Sequence, residues 1–417
     1  MQKFPRSVTS ITVAATLLRL ALVQFRNFGF PPGWGGEMVA IASALADGRG
    51  FSDAYGPNTG LTAQAPPAYP FLLSLIFRVL GGSTVEAGEI ALYLNALLSA
   101  GITLLVFRLA EKLFDRRVGI LAAALWAFWP LVGHTEARYT WNTSLYALLF
   151  TVLVRVGLTL QPGSTRRWVA YWLLAGITVL VDTSAVVFVF LFAGWQLVFH
   201  ERRPLRWLVA ALVLLAVVAP WMFRNWLVFG RPVLRSNLGL ELSRGISDED
   251  FARTDYKIRL PNRDPEELAR YRRLGEIAYM DDRFEQVRQY VSANPVAYVR
   301  RAARRFVAYW AGNAEVDYVY WPAGRLVLFK HVLYVLPALC ALGGLFVLRR
   351  SSAVVLLAGV LTLCPLVYYF TYTSVRYRAP LEPLLAALAA GFLSVVWTRL
   401  SEAWGVARGP RPSSPAS

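Results

Sequence analysis

Residues 207–223 read WLVAALVLLAVVAPWMF, a run of seventeen side chains without a single charge. A helix needs about 20 apolar residues to cross the hydrocarbon core of a bilayer. Nearly uncharged runs of similar length recur at residues 8–25, 326–348, 352–370 and 380–398. A soluble core does not require such repeated unbroken runs, so the sequence predicts an integral membrane protein.

The composition and the placement of charge agree with this assignment. Of 417 residues, 56% are hydrophobic and only 17% are charged, whereas soluble domains carry roughly a quarter charged residues. The net charge of +17 does not come from residues 231–325, which hold 17 basic and 14 acidic residues. It lies mainly in short loops that separate alternate apolar runs: Lys3 and Arg6; Lys112, Arg116 and Arg117; Arg166 and Arg167; Arg202, Arg203 and Arg206; Arg349 and Arg350; Arg399. This is the positive-inside pattern, which predicts a multi-pass protein of the cytoplasmic (inner) membrane with both termini cytoplasmic, and argues against nucleic-acid binding.

Hydropathy and charge together predict an all-α polytopic membrane protein with about ten transmembrane helices. The run 168–199 is too long for one helix, and we expect a break at Asp182. Asp264 before Pro265 predicts a helix start, and Asn294-Pro295 predicts a break between two helices. Residues 66–80 are apolar but short, which favours a helix at the membrane interface. The chain then divides into an N-terminal transmembrane module (1–225) with an outer loop at 26–85, an extracytoplasmic helical loop (226–325), C-terminal transmembrane helices (326–400) and a disordered cytoplasmic tail (401–417).

Glu37 opens the stretch EMVAIASALADGRGF, whose apolar positions share one helical face. That pattern predicts a helix on the membrane rim. A carboxylate in the first helical turn is stabilised as the anion by about 0.3–1 kcal/mol through the helix dipole. Such a group can take a proton from an attacking hydroxyl. Glu37 can equally be a helix-start acid without chemistry.

Other polar and ionisable residues also gather at predicted outer helix ends, where charge is costly and therefore a sign of function. They form four groups: Asp47, Arg49 and Asp53; His134, Glu136, Arg138 and Asn142; Arg224 and Asn225; Arg376, Arg378 and Glu382. An arginine fork suits phosphate oxygens, although arginines at helix ends also snorkel to headgroups. No cluster has metal-ligand spacing, so we predict neither a metal nor a cofactor.

Four segments in order resemble the bacterial family 39-like membrane glycosyltransferases of the GT-C superfamily. They are GGEMVAIASALADGRGF (35–51), GLTAQAPPAYPFLLSLIFRVLGG (60–82), APWMFRNWLVFGRPVLRSNLGLEL (219–242) and YTSVRYRAPLEPLLAALAA (372–390). Relatives there include protein O-mannosyltransferases and the lipid A aminoarabinose transferase. The resemblance implies a GT-C-type fold with juxtamembrane helices in the first outer loop. It also implies an inverting transfer from a polyprenyl-phosphate sugar.

The resemblance further implies an acidic general base in the first outer loop. Relatives carry an Asp-Glu pair ahead of a Tyr, where this chain has Trp34 and Gly35 ahead of Met38. The nearest acid is Glu37, about one helical turn away, and it is our expected base, with Asp53 as the competitor. The remaining expected contacts are the donor phosphate ligands Arg224, Arg376, Arg378 and Lys330, and the substrate-binding residues Arg138, Asn142, Trp34 and Glu382.

Two other interpretations stay open. A transporter or flippase for a lipid-linked glycan would place its polar residues near mid-membrane in broken helices, whereas here they collect at one face. An inactive scaffold of the same fold is consistent with the missing Asp-Glu pair. For the enzyme, the expected partners are a polyprenyl-phosphate sugar donor, an acceptor glycan, lipid or protein, and membrane lipids.

Overall fold

The computed structural model describes residues 4–26, 36–130, 139–161, 163–246, 260–312 and 324–404, with the backbone alone at 324–328 and 375. Within these ranges every regular element is helical, and one isolated antiparallel bridge joins Ser52 to Leu61. The predicted all-α fold class is confirmed.

The helices, numbered in chain order, are α1 (Arg6–Arg26), α2 (Glu37–Ala46), α3 (Ala68–Val79), α4 (Val85–Leu113), α5 (Arg116–Ala127), α6 (Thr143–Gly157), α7 (Thr165–Val181), α8 (Ala185–Phe199), α9 (Pro204–Phe229), α10 (Leu238–Arg244), α11 (Pro265–Leu274), α12 (Glu276–Ala293), α13 (Pro295–Ala311), α14 (Gly324–Val347), α15 (Ala353–Leu363), α16 (Leu366–Phe370) and α17 (Glu382–Ala403). A short 3₁₀ turn, Val375–Arg378, precedes α17.

Six helical stretches in the described part of the chain are long and apolar enough to cross a membrane. They are Arg6–Phe25, Val85–Leu113, Pro204–Phe229, Phe329–Val347, Ala353–Phe370 and Glu382–Ala403. Four shorter apolar helices, α2, α3, α6 and α8, accompany them. The protein is therefore a multi-pass membrane protein, and the expected figure of about ten spans is not established by helix length and composition.

Three expected helix boundaries are confirmed, and each has a local cause. At Asp182 the backbone is extended, and its carboxylate accepts a hydrogen bond from Ser184 N at 3.0 Å, which separates α7 from α8. Asp264 caps α11 by accepting from Glu266 N at 2.9 Å. Helix α12 ends at Ala293 and α13 begins at Pro295, because proline supplies no N–H for a continuing helix.

The main core joins the transmembrane helices, and α17 packs against α4, α5 and α14. The contact between α14 and α17 requires glycine. A Cβ built on Gly344 would lie 2.2 Å from the Leu388 carbonyl oxygen, so a side chain there would force the helices apart. Small residues at such crossings let membrane helices approach closely.

A second core joins the segment between α1 and α4 to the helices that follow α9. Helices α2 and α3 pack on each other. Their apolar faces share a cluster with Trp221, Leu240, Tyr271 and Tyr279. On α2 the buried set includes Met38, Ile41, Ala42 and Leu45, the face expected from the sequence. This core fixes the direction in which Glu37 points.

Candidate active site

A cavity of about 450 Å³, counting space open to solvent, lies where α2, α6 and the turn before α17 meet. It brings together three residues singled out from sequence, namely Glu37, Asn142 and Arg376. The full wall consists of Glu37, Met38, Asn142, Thr143, Tyr146, Asp182, Arg235, Tyr368, Arg376, Tyr377 and Pro380. Ionisable groups from distant parts of the chain thus share one cavity.

Glu37 is the first residue of α2, and its carboxylate is 26% exposed. The chain turns into the helix at Gly36, where φ is 52°, a conformation that favours glycine. Within the described part of the chain, nothing donates a hydrogen bond to the Glu37 carboxylate, and the Arg235 Nη2 atom lies 3.9 Å from Oε1. The oxygen lone pairs of Glu37 are therefore available to a substrate.

Arg376 is held by aromatic rings. Its guanidinium carbon lies 4.1 Å from the centroid of Trp141 and 4.9 Å from that of Tyr377. Its Nη2 donates to the Tyr377 hydroxyl at 3.1 Å. Trp141 is itself stacked on Tyr139 with centroids 4.0 Å apart. These contacts orient a fixed positive charge at the cavity wall.

Arg235 is a second cavity arginine, which sequence reasoning missed. It follows α9, and its Nε donates to the Gln64 carbonyl at 2.7 Å, so its Nη2 is directed toward Glu37. The residue lies within the third segment that resembles the family, 219–242. That membership was the only available signal, because an irregular segment gives no periodicity from which to infer side-chain direction.

Asp182 is the second acid of the cavity. It caps the turn between α7 and α8, and it also lines the cavity wall. Its carboxylate accepts from Asn142 Nδ2 at 3.0 Å and from Ser184 Oγ at 2.8 Å, besides the Ser184 backbone N–H. Asn142 Nδ2 also donates to the Val181 carbonyl at 2.8 Å. Asp182 is the only charged residue in the apolar run 168–199, a signal that could have marked it as a site residue.

Comparison with known proteins adds two findings to this geometry. Residues 64–223 match the family described as dolichyl-phosphate-mannose-protein mannosyltransferase. The archaeal oligosaccharyltransferase AglB from Archaeoglobus fulgidus, in complex with an inhibitory peptide and a dolichol-phosphate, superposes with a TM-score of 0.54 at 16% identity, covering 98% of this chain and 52% of that one. The chain has the GT-C fold. The resemblance inferred from sequence to the protein O-mannosyltransferase relatives is confirmed.

Further solved structures resemble this chain. A second A. fulgidus oligosaccharyltransferase structure, tethered with an acceptor peptide, gives a TM-score of 0.55 at 15% identity over 96% of this chain and 50% of that one. The chain thus spans about half the length of these oligosaccharyltransferases. ArnT from Cupriavidus metallidurans, bound to undecaprenyl phosphate, gives a lower TM-score of 0.43 at 14% identity over 98% and 81% of the two chains. Among curated protein sequences there is no match.

Asp53 lies outside the cavity wall and shapes the loop after α2. Its φ is 63°. Its buried carboxylate accepts from Thr59 N at 3.1 Å and from Gly60 N at 3.3 Å, and it pairs with Arg49. Asp53 is thus occupied by its own loop.

Arg224 also lies outside the cavity wall. Its Nη1 donates to the Thr62 carbonyl at 2.7 Å and its Nη2 to the Phe51 carbonyl at 3.1 Å. It therefore fastens the loop between α2 and α3 to the end of α9. A charged side chain at this helix end was expected to face the site, but backbone carbonyls from a distant loop take its donors.

The same loop is fastened from its other side by a buried carboxylate that sequence reasoning did not single out. Glu276, at the start of α12, accepts from Ala63 N at 2.7 Å, from the Tyr271 hydroxyl at 2.8 Å and from the Thr62 hydroxyl. Burial raises the pKa of Tyr271 above its ordinary value, and burial also raises the pKa of the neighbouring Tyr55. These phenols therefore stay protonated and can donate.

The remaining expected contacts that the structure describes are not part of this cavity's wall, with the exception of Asn142. Arg378 Nε lies 2.7 Å from Glu382 Oε1, and its Nη1 donates to the Trp310 carbonyl at 2.9 Å. Glu382 borders a separate apolar cavity of about 530 Å³ between α5, α14 and α17. Lys330, on α14, is buried and is not part of the first cavity's wall. Trp34 and Arg138 lie outside the described residues.

Proposed function

We propose that the protein is a membrane glycosyltransferase that uses the α2–α6 cavity to transfer a sugar from a polyprenyl-phosphate donor to an acceptor glycan, lipid or protein. The observation that carries this proposal is the shared placement of Glu37, Arg235 and Arg376 around one cavity. A carboxylate that receives no hydrogen bond from the described residues, in a cavity lined by two arginines, suits a reaction in which the acceptor loses a proton and a phosphate leaves.

In the proposed reaction an acceptor nucleophile attacks the anomeric carbon on the face opposite the phosphate. A new glycosidic bond forms, the bond between the anomeric carbon and the phosphate oxygen breaks, and polyprenyl phosphate leaves. The configuration at the carbon is inverted. Glu37 takes the acceptor's proton. Arg235 and Arg376 balance the charge that develops on the departing phosphate.

Hydrogen bonding supports Glu37 over the other acids as the base. A general base must have an oxygen within reach of the proton it removes. Asp182 accepts three hydrogen bonds from Asn142 and Ser184. Asp53 is engaged by Arg49, Thr59 and Gly60. Among the described residues, none donates a hydrogen bond to the Glu37 carboxylate.

The arginine assignment follows from the same reasoning. The guanidinium of Arg224 donates to loop carbonyls, and Arg378 is paired with Glu382. We therefore propose that both arginines position the site rather than bind the donor. Arg376, with Arg235 added, is the proposed phosphate ligand pair. Contacts of Lys330 with the donor headgroup, and of Trp34, Arg138, Asn142 and Glu382 with substrate, stay predictions.

The donor class is supported by the comparisons. The matched family is described by a dolichyl-phosphate sugar, and the A. fulgidus oligosaccharyltransferase of the same fold was captured with a dolichol-phosphate. The positive-inside pattern supports a cavity at the outer face of the cytoplasmic membrane, with both termini cytoplasmic. We propose the extracytoplasmic loop 226–325 as a wall of the acceptor side, since Arg235 belongs to it.

The test uses the purified chain in lipid nanodiscs with a panel of radiolabelled polyprenyl-phosphate sugars. Release of polyprenyl phosphate is expected from the wild type and is expected to be lost in Glu37→Gln. Asp47→Asn is the matched control, because Asp47 is an exposed acid at the other end of α2. Turnover that survives Glu37→Gln would remove Glu37 from the mechanism. In sealed vesicles, donor that crosses the bilayer unconsumed would instead indicate the flippase.

A further inference from the structure

Helix α13 presents an apolar face that the described part of the chain does not cover. Val296, Val299, Phe306 and Val307 are between 50% and 71% exposed. At 3.6 residues per turn, these four residues and the exposed Ala303 fall within an arc of about 100°. Such an arc on a soluble surface would be unfavourable, because apolar area in contact with water is destabilising.

Arginines follow this arc around the helix. Arg300 and Arg304 are exposed at its edge, and neither forms an ion pair with the described residues. Arg301 lies further round, where its guanidinium carbon is 5.6 Å from the centroid of Tyr290. The helix therefore has an apolar sector, a cationic edge and, opposite, a sector directed at the protein.

The protein-facing sector fastens α13 to the ends of two candidate spans. The Tyr298 hydroxyl donates to the Phe370 carbonyl at 2.8 Å, and Arg305 Nη1 donates to the Tyr369 carbonyl at 3.1 Å. At the other end, the Ala311 carbonyl lies 2.7 Å from His331 Nδ1. Phe370 ends the span Ala353–Phe370, and His331 lies near the start of Phe329–Val347. Helix α13 thus lies at the level where these spans leave the membrane.

The apolar sector adjoins the end of one of those spans, because the ring of Phe306 lies 5.3 Å from that of Tyr369, centroid to centroid. The ends of the two spans expose Phe329, Val332, Leu366, Val367 and Phe370, each between 37% and 56%. A helix with a broad apolar face and a basic edge is typical of one lying in the plane of the membrane interface. Basic residues at that depth attract anionic lipid headgroups.

We propose that α13 lies in the bilayer interface, with its apolar sector among the acyl chains and Arg300 and Arg304 bound to the phosphates of anionic phospholipids. The occupant of this surface is the lipid leaflet itself. The proposal does not depend on glycosyl transfer, and its tests need no donor.

The depth of the helix is tested with spin labels on cysteines in a Cys340→Ala, Cys364→Ala background. Ala303→Cys reports α13, and Ala269→Cys, an exposed alanine of α11, is the matched control. In phosphatidylcholine–phosphatidylglycerol nanodiscs, the label at 303 is expected to collide with oxygen and that at 269 with a water-soluble nickel chelate. Equal nickel access at both sites would overturn the proposal. Shielding of residue 303 from both reagents would also overturn it, since another protein would then cover the face.

The headgroup preference is tested by native mass spectrometry of lipids retained from mixed nanodiscs. The wild type is expected to retain phosphatidylglycerol over phosphatidylcholine, and Arg300→Gln with Arg304→Gln to lower that preference by roughly tenfold. The control pair, Arg273→Gln with Arg288→Gln, removes the same charge from exposed positions on α11 and α12. An equal preference in both double variants would refute binding of anionic headgroups by α13.

Discussion

The Glu37 Oε1 atom and the Arg235 Nη2 atom face each other at 3.9 Å. This distance is too long for a hydrogen bond, yet short enough for the two charges to attract. The Arg235 guanidinium is held in this position because its Nε donates a hydrogen bond to the Gln64 carbonyl. Glu37 therefore lies beside a positive charge without accepting a hydrogen bond from it.

Replacement of Arg235 by Ala is expected to lower kcat/KM for the donor by about 100-fold, the usual effect of removing one donor that stabilises developing negative charge. Arg231→Ala is the control, since Arg231 pairs with Asp281 at the exposed surface. Initial rates of polyprenyl phosphate release measure the effect. Equal rates for the two variants would exclude Arg235 from the phosphate site.

Trp141 is expected to matter through Arg376 rather than through chemistry. Cation–π contacts contribute about 0.5–2 kcal/mol, so Trp141→Ala is expected to raise the donor KM by about 2- to 30-fold. Trp141→Phe should restore most of the affinity, because it keeps an aromatic face. The control is Trp226→Ala, a half-exposed tryptophan on α9. A fall in kcat at unchanged KM would contradict this positioning role.

Asp53→Asn separates the two acids that sequence placed in competition. Asparagine tolerates a positive φ, and its side-chain oxygen can still accept from Thr59 N and Gly60 N. The variant should fold and keep most of its turnover, as measured by donor consumption. A loss as large as that of Glu37→Gln would identify Asp53 as the base instead.

Two tyrosines in one cluster are expected to respond in opposite ways to loss of the hydroxyl. Tyr271 donates to Glu276, whereas the buried Tyr55 hydroxyl has no partner among the described residues. Tyr271→Phe should destabilise the protein by about 1–3 kcal/mol, and Tyr55→Phe should be neutral or stabilising. Thermal unfolding in detergent measures both. A lower midpoint for Tyr55→Phe would show that its hydroxyl has a partner in solution.

The sequence predicted those parts of the fold that local rules decide. The break at Asp182 follows from an apolar run too long for one helix, and the start of α13 follows from Pro295. The number of spans is harder to predict from sequence, because helices such as α6 and α8 have 15 residues each and are short for a bilayer. Their packing, not their length, determines whether they cross.

The site could be predicted only in part from the sequence, for a related reason. The helical pattern placed Glu37 at the start of α2, where the structure has it. Of the two neighbouring arginines, Arg376 lines the cavity, whereas Arg378 pairs with Glu382. Arg224 and Arg235 could not be distinguished, because each is directed by a carbonyl of the loop between α2 and α3, far away in the chain. Such non-local bonds leave no periodic trace in sequence.

The close crossing of Gly344 with Leu388 has a consequence for how the proposed lipid-linked donor would enter. Helices α14 and α17 are locked backbone to backbone, so the turn that carries Arg376 is anchored to a stiff pair. Glu37, by contrast, belongs to α2, a helix of only ten residues. If the cavity widens to admit or release a bulky molecule, the movement should therefore come from the α2 side, while Arg376 keeps its position beside α17.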